Sequence, residues 1–121
     1  MASALETVYA VLSVDAATTA IVSNRMGPLS RPQSLTVPAL TYQRIVTTPT
    51  NHLRGDSGLD SNVVQIDLWT ASYATSKSLA AAVRAALLAA KHVLTDERDE
   101  FDADVDPELY RIVQTWQIWT T

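Results

Sequence analysis

Leu5, Val8, Tyr9 and Leu12 recur at i, i+3, i+4 and i+7, the spacing that lines one face of an α-helix. Ser3-Ala4-Leu5-Glu6 has the form of a capping box: the Ser3 hydroxyl accepts from the Glu6 N–H and the Glu6 side chain reaches back. Asp15 can cap a second short helix over DAATTAIV, ending near Ser23-Asn24. The connection from Arg25 to Pro38 holds Gly27, Pro28, Pro32 and Pro38, and its prolines forbid regular helix. From Ala39 the period changes to two. Leu40, Tyr42, Arg44 and Val46 fall on one side and Thr41, Gln43, Ile45 and Thr47 on the other. The β-branched content favours a strand, which Pro49 closes. A second alternating run starts at Asn62, with Val64, Ile66 and Leu68 on one face and Gln65, Asp67 and Trp69 on the other. Residues 50–61 between the two runs predict a long polar loop at a hairpin tip, a length uncommon in compact domains and often functional.

Thr75 or Ser76 starts the clearest helix, KSLAAAVRAALLAAKHVL, with Leu79, Val83, Ala86, Leu87 and Ala90 as its apolar stripe. Tyr110 to Thr120 alternates as a last strand, with Tyr110, Ile112, Trp116 and Ile118 opposed to Val113 and Trp119. The order helix, helix, strand, strand, helix, strand predicts a single α+β domain over 1–121, with a mainly antiparallel sheet and helices on one face. One face of such a sheet should be wet. Here Trp69, Val113 and Trp119 put apolar groups on the second face as well, which points to a protein contact or to partial cover by helices and loops.

Composition changes this picture little. The chain has 121 residues, 47% of them hydrophobic, enough for one domain with a real core. It has no cysteine, which excludes disulfides, thiolate catalysis and thiolate metal sites. The N-terminal stretch lacks a basic start and carries Glu6, so a soluble protein without a secretory signal is expected. The longest apolar run, Leu79 to Ala90, is broken by Arg84 and is too short to span a bilayer.

Charge is more informative. Residues 1–95 hold seven bases and five acids, whereas 96–108 hold eight acids and one base. A charge run of this kind reads as a solvated acidic loop. The body lacks the strongly basic face that a general nucleic-acid binder needs. Lys77, Arg84 and Lys91 recur every seven residues on one helix face. Such a stripe is ordinarily a solvated face, but it could also meet the acidic 96–108 segment of a neighbouring copy.

Two familiar words overlap at RGDSGLD, residues 54–60. Gly55-Asp56-Ser57-Gly58 is the tetrapeptide around a chymotrypsin-like nucleophile. A triad needs a rigidly held base, and the chain offers only His52, in the same loop, and His92. Arg54-Gly55-Asp56 is an adhesion tripeptide, but Gly, Asp and Ser are turn formers for plain backbone reasons. Asp102, Asp104 and Asp106 start like a calcium loop. Pro107 stands where that loop needs Gly and Val113 where it needs Glu, so the motif fails.

The layout resembles the tail-terminator, or tail-completion, family of long-tailed bacteriophages. The likeness rests on the two N-terminal helices, Arg25-Met26-Gly27-Pro28, Pro32-Gln33 and Pro38-Ala39-Leu40-Thr41-Tyr42-Gln43-Arg44-Ile45. It continues through Val64-Gln65-Ile66-Asp67-Leu68-Trp69, the small-residue helix after it, Tyr110-Arg111-Ile112-Val113 and Trp116-Gln117-Ile118-Trp119. The resemblance implies a structural virion protein without enzymatic activity or cofactor, assembled in the host cytoplasm and located at the head–tail junction. It implies a homo-hexameric ring at the head-proximal end of the tail tube. Such a ring ends tube polymerisation, meets the tail tube protein and the head connector or stopper protein, and lets DNA pass without sequence-specific binding. Trp69, Lys77, Arg84, Lys91, Val113 and Trp119 are then the candidate subunit contacts. Arg54, Asp56, Ser57 and Asp60 are candidates for the lumen or for a neighbouring ring. The competing expectations are a small ligand-binding or enzymatic α+β domain, in which His52, Arg44 and Asp67 converge on one pocket, and another head–tail joining protein. Arg44 and Asp67 could also be simple cross-strand partners.

Overall fold

The computed structural model describes residues 3–23, 25–28, 38–52, 55–102 and 109–120, with the backbone alone at 28, 49–52, 55–60, 101, 102 and 109. Helix α1 (Ala4–Leu12) is capped by Ser3, whose hydroxyl accepts from the Glu6 N–H at 3.1 Å. Helix α2 (Ala16–Val22) is capped by Asp15, whose carboxylate accepts from both the N–H and the hydroxyl of Thr18. These bonds satisfy N–H groups that a helix start leaves without intrahelical partners. Ala4, Val8 and Leu12 are buried, while Tyr9 is 49% exposed. The apolar stripe of α1 is therefore rotated from the expected one, with Ala4 inside and Tyr9 at the margin.

Strand β1 (Met26–Pro28) pairs in parallel with β2 (Ala39–His52), which pairs antiparallel with β3 (Gly55–Thr70). Helix α3 (Tyr73–Ala89) leads to β4 (Val93–Asp102) and β5 (Leu109–Thr120), and the sheet order is β1-β2-β3-β5-β4. The mainly antiparallel α+β architecture is as expected. Two strands are additional: β1 in the proline-rich connection and β4 in the acidic segment.

Arg25 ties the first of these together. Its Nε–H donates to the Pro38 carbonyl at 2.8 Å and its Nη2 to the Ile21 carbonyl at 3.3 Å. The second contact places a cation at a helix C-terminus, where the backbone dipole favours it. One side chain thus fixes the exit of α2 against the entry of β2.

Helix α3 ends earlier than its apolar pattern predicts. The Lys91 N–H donates to Leu88 and the His92 N–H to Leu87, the pair of bonds that makes a Schellman cap. Lys91 sits there with φ 72°, so it lies past the helix and not on the stripe with Lys77 and Arg84. Val93 and Leu94, expected in the helix, begin β4.

All three helices pack on one face of the sheet. Val8, Leu12, Val22, Leu79, Val83 and Leu87 join Leu40, Val64, Ile66, Leu68, Trp116 and Ile118 in one cluster. Fully burying one such aliphatic side chain contributes roughly 1.5–3 kcal/mol, so this layer dominates the stability. A register shift between Arg44 and Val46 changes the alternation in β2. Val46 pairs with Val63, and Thr47 pairs with Asn62 and donates its hydroxyl to the Asn62 side chain at 2.7 Å. Val46 therefore moves to the helix-free face, against the simple period-two reading. A bulge of this kind inserts a residue without breaking the strand.

Two expected loops are corrected. Within 50–61, Asn51 pairs with Asp56 and His52 with Gly55, so the hairpin arms continue almost to the tip. Turn-forming composition hid the pairing, because a backbone ladder needs no particular side chain. The acidic segment is strand β4 as far as Asp102, paired from Val93↔Gln117 to Asp102↔Leu109; residues 103–108 lie outside the described residues. Charge is tolerated on β4 because it is an edge strand, where charged side chains also discourage unwanted pairing.

Candidate assembly interface

The helix-free face of the sheet divides into two regions. In the lower region lie Asp67, Trp69, Arg98, Glu100 and Arg111, which alternation on β3, β4 and β5 places side by side. Arg111 forms an ion pair with Glu100 and reaches Asp67 at 3.9 Å; Arg98 reaches Glu100 at 3.2 Å and Asp96 at 3.3 Å. The Arg111 guanidinium lies 5.0 Å from the Trp69 ring centroid, and the indole N–H donates to the Thr41 hydroxyl at 3.0 Å. These groups are part-exposed, so each ion pair contributes only about 0–1 kcal/mol. Their effect is to neutralise part of the acidic strand within the chain. Trp69 is accordingly held within its own chain, and Val113, which lies in register between Asp67 and Arg98, is 0% exposed. Of the expected contact residues, these two are covered or engaged from within.

The upper region carries a row of valines interrupted by Gln117, whose amide donates to the Ser61 hydroxyl at 2.8 Å. Val46, Val63, Gln117 and Val93 follow one another across β2, β3, β5 and β4 in register, with Val46 48% and Val93 46% exposed. Trp119 stands beside this band, opposite Ser61 and half-buried. Its backbone N–H donates to His92 Nδ1 at 3.4 Å. Burial pushes the His92 pKa below its usual 6.5. The unfolded chain therefore binds the proton more readily, and stability is full above pH 6.5 and falls as pH drops through that value. A thermal-denaturation series from pH 7.5 to 5 should show this decline in the wild type and a shallower one in His92→Gln.

On the helix side of the sheet, α3 leaves part of β4 uncovered. A groove of about 270 Å³ lies between them, floored by Ala80, Ala81 and Ile112. Lys77 and Arg84 line it from α3, Glu97 and Asp99 from β4. A second hollow of about 200 Å³ adjoins it, lined by Tyr73, Asp99, Glu100, Tyr110, Arg111 and Ile112. The Tyr73 hydroxyl donates to Asp99 at 3.0 Å, and that bond and the carboxylate's charge raise the phenol's pKa. Lys77 Nζ lies 5.7 Å from the Tyr73 ring centroid. Gln114, 0% exposed behind the groove, donates to Glu97 at 2.7 Å and to the Ala80 carbonyl at 3.2 Å, and accepts from the Trp116 indole at 2.9 Å. The expected basic stripe thus meets the acidic segment of its own chain across a groove, and Lys91 takes no part. Sequence reasoning held Glu97 and Asp99 only as part of the acidic segment and missed Tyr73; the alternation of Asp96, Arg98 and Glu100 against Glu97 and Asp99 was the available signal.

Asp56, Ser57 and Asp60 lie on β3 where the hairpin runs past β5, whose pairing with β3 stops at Asp60↔Thr120. Arg54 lies outside the described residues. Arg44 pairs with Val64 and lines a hollow with Ser3, Ala4 and Leu5, while Asp67 pairs with Thr41 on the opposite face. The two are neither cross-strand partners nor parts of one pocket. Among the described residues no group of three or more His, Cys, Asp or Glu could hold a metal ion, and no single helix is long and apolar enough to cross a membrane.

The model of the family described as tail completion protein gp17 matches residues 6–121. Among solved structures, a chain from the "Virion of native gene transfer agent (GTA) particle" is similar in fold, with a TM-score of 0.64 at 22% identity. The alignment covers 93% of this chain and 90% of that chain. No curated protein is significantly similar in sequence. The family match takes in every strand of the sheet and all three helices apart from the first residues of α1, so the chain belongs to the tail completion protein gp17 family and is a structural, non-enzymatic component of the phage tail, located in the virion.

Proposed function

We propose that the chain forms a homo-hexameric ring at the head-proximal end of the tail tube, ends tube polymerisation there and presents a surface to the head connector or stopper protein. The observation that carries this reading is the apolar band of Val46, Val63 and Val93 beside Trp119 on the helix-free face. A face of this kind is what a tail component would bury against a neighbour. The balance of charge agrees: acids concentrated on β4 suit a wall past which DNA slides without being bound. A ligand-binding alternative loses its support because Arg44 and Asp67 occupy opposite faces of the sheet.

Native mass spectrometry across concentration and magnesium tests the ring, with a hexamer expected. A dimer that persists on dilution overturns it. A purified ring should also stop growth of a polymerising tail tube at substoichiometric amounts. Trp119→Asp should weaken assembly on the order of 10- to 100-fold, as loss of a central aromatic contact does, while far-UV circular dichroism stays unchanged. Assembly of that variant at wild-type concentrations removes Trp119 from the interface.

A further inference from the structure

We propose that the groove between α3 and β4 receives the β2–β3 arm of a second copy of this chain; the inference rests on the ring reading above and names one contact that closes the ring. The groove has two walls of opposite sign, Lys77 and Arg84 on one side and Glu97 and Asp99 on the other. Among the described residues, neither cation comes within ion-pair distance of either carboxylate. Opposite charges held apart across a hollow leave room for an occupant that carries both signs. The floor of Ala81 and Ile112 is small and apolar, which suits a narrow segment with a backbone ladder of its own.

The arm has these properties. Its strands pair at Pro49↔Asp60, Asn51↔Asp56 and His52↔Gly55, and β3 residues 55–59 run past the end of its pairing with β5. At about 3.3 Å per residue the arm projects roughly 16 Å beyond that point. Its sequence supplies Arg54 and Asp56, one cation and one anion to set against the two walls. The arm cannot fill the groove of its own subunit. It leaves the sheet at the end where Asp60 and Thr120 pair, whereas Glu97 and Asp99 lie opposite Gln114 and Ile112, further down the sheet and across β5. Two different surfaces that satisfy each other between copies make a head-to-tail contact, the kind that generates rings.

The chain has no cysteine, so engineered thiols report without background. Under mild oxidation, Ala81→Cys/Ser57→Cys should give a ladder of disulfide-linked species up to six copies on a non-reducing gel. A mixture of the two single variants should stop at a linked dimer. Adding Lys77→Glu and Arg84→Glu should lower the linked yield about tenfold, with the fold checked by circular dichroism. A hexamer by native mass spectrometry without linkage overturns the arm-in-groove contact and leaves the ring standing. Neither hexamer nor linkage overturns both. Linked dimers from either single variant alone at the yield of the mixture, or a yield unchanged by the charge reversals, also overturn the contact.

Discussion

Trp116→Ala is expected to destabilise the protein by about 3–5 kcal/mol, the usual loss when a buried aromatic is truncated. Trp116 is fully buried, pairs in register with Val64 and Leu94, and packs in the cluster that joins all three helices to the sheet. Its removal leaves a large cavity, and also strips the Gln114 side-chain oxygen of the indole donor at 2.9 Å. Against a total stability of about 5–15 kcal/mol, this is a large share, and at the lower end of that range it populates unfolded chains. Urea titration read by far-UV circular dichroism checks it. A loss below about 1 kcal/mol would mean that the core closes around the missing ring. Trp116→Phe separates the two contributions: it keeps most of the volume and should lose only about 1–2 kcal/mol, the share of the buried hydrogen bond.

Gln114→Glu is expected to cost a comparable amount at pH 7, about 3–5 kcal/mol, because it places an uncompensated charge inside the fold. The amide of Gln114 donates to Glu97 at 2.7 Å and to the Ala80 carbonyl. A carboxylate there can donate to neither and faces Glu97 with like charge. Its folded pKa is therefore raised above the unfolded value of about 4.3. The stability gap to wild type is then largest near neutral pH and narrows as pH falls through the raised value. Denaturant midpoints at pH 7.5 and 5 measure this, and a gap that widens on acidification rules the explanation out. Gln114→Leu tests the neutral case, in which only the hydrogen bonds are lost.

The core was legible along the chain. Val64, Ile66 and Leu68 alternate on β3, and Ile112, Trp116 and Ile118 on β5, and each is buried on the side that their period placed inside. The two N-terminal caps followed from Ser3 and Asp15 and appear in the fold. Local chemistry determines these features: a hydroxyl or carboxylate at a helix start, and an apolar residue at every second position of a strand. The helix-free face was legible in composition and not in arrangement. Trp69, Val113 and Trp119 all read as candidate contacts, yet Trp69 is engaged by Arg111 and Thr41, and Val113 is covered.

The acidic stretch shows the limit most clearly. Asp96 to Asp102 read as a solvated loop because charge runs usually are. Which side of the sheet each of these residues faces depends on a partner strand, β5, and on the register shift between Leu94 and Asp96. Likewise, the separation of Lys91 from Lys77 and Arg84 depends on a helix cap that a lysine closes with φ 72°, a conformation its side chain disfavours and tertiary context imposes. Local patterning was enough for the three helices, for strands β2, β3 and β5, for the inward faces of β3 and β5 and for the α+β class, because periodicity and capping act within a few residues. The tertiary structure alone decided the groove between α3 and β4, the projecting arm and the split of the outer face, because each depends on pairings between segments far apart in the chain.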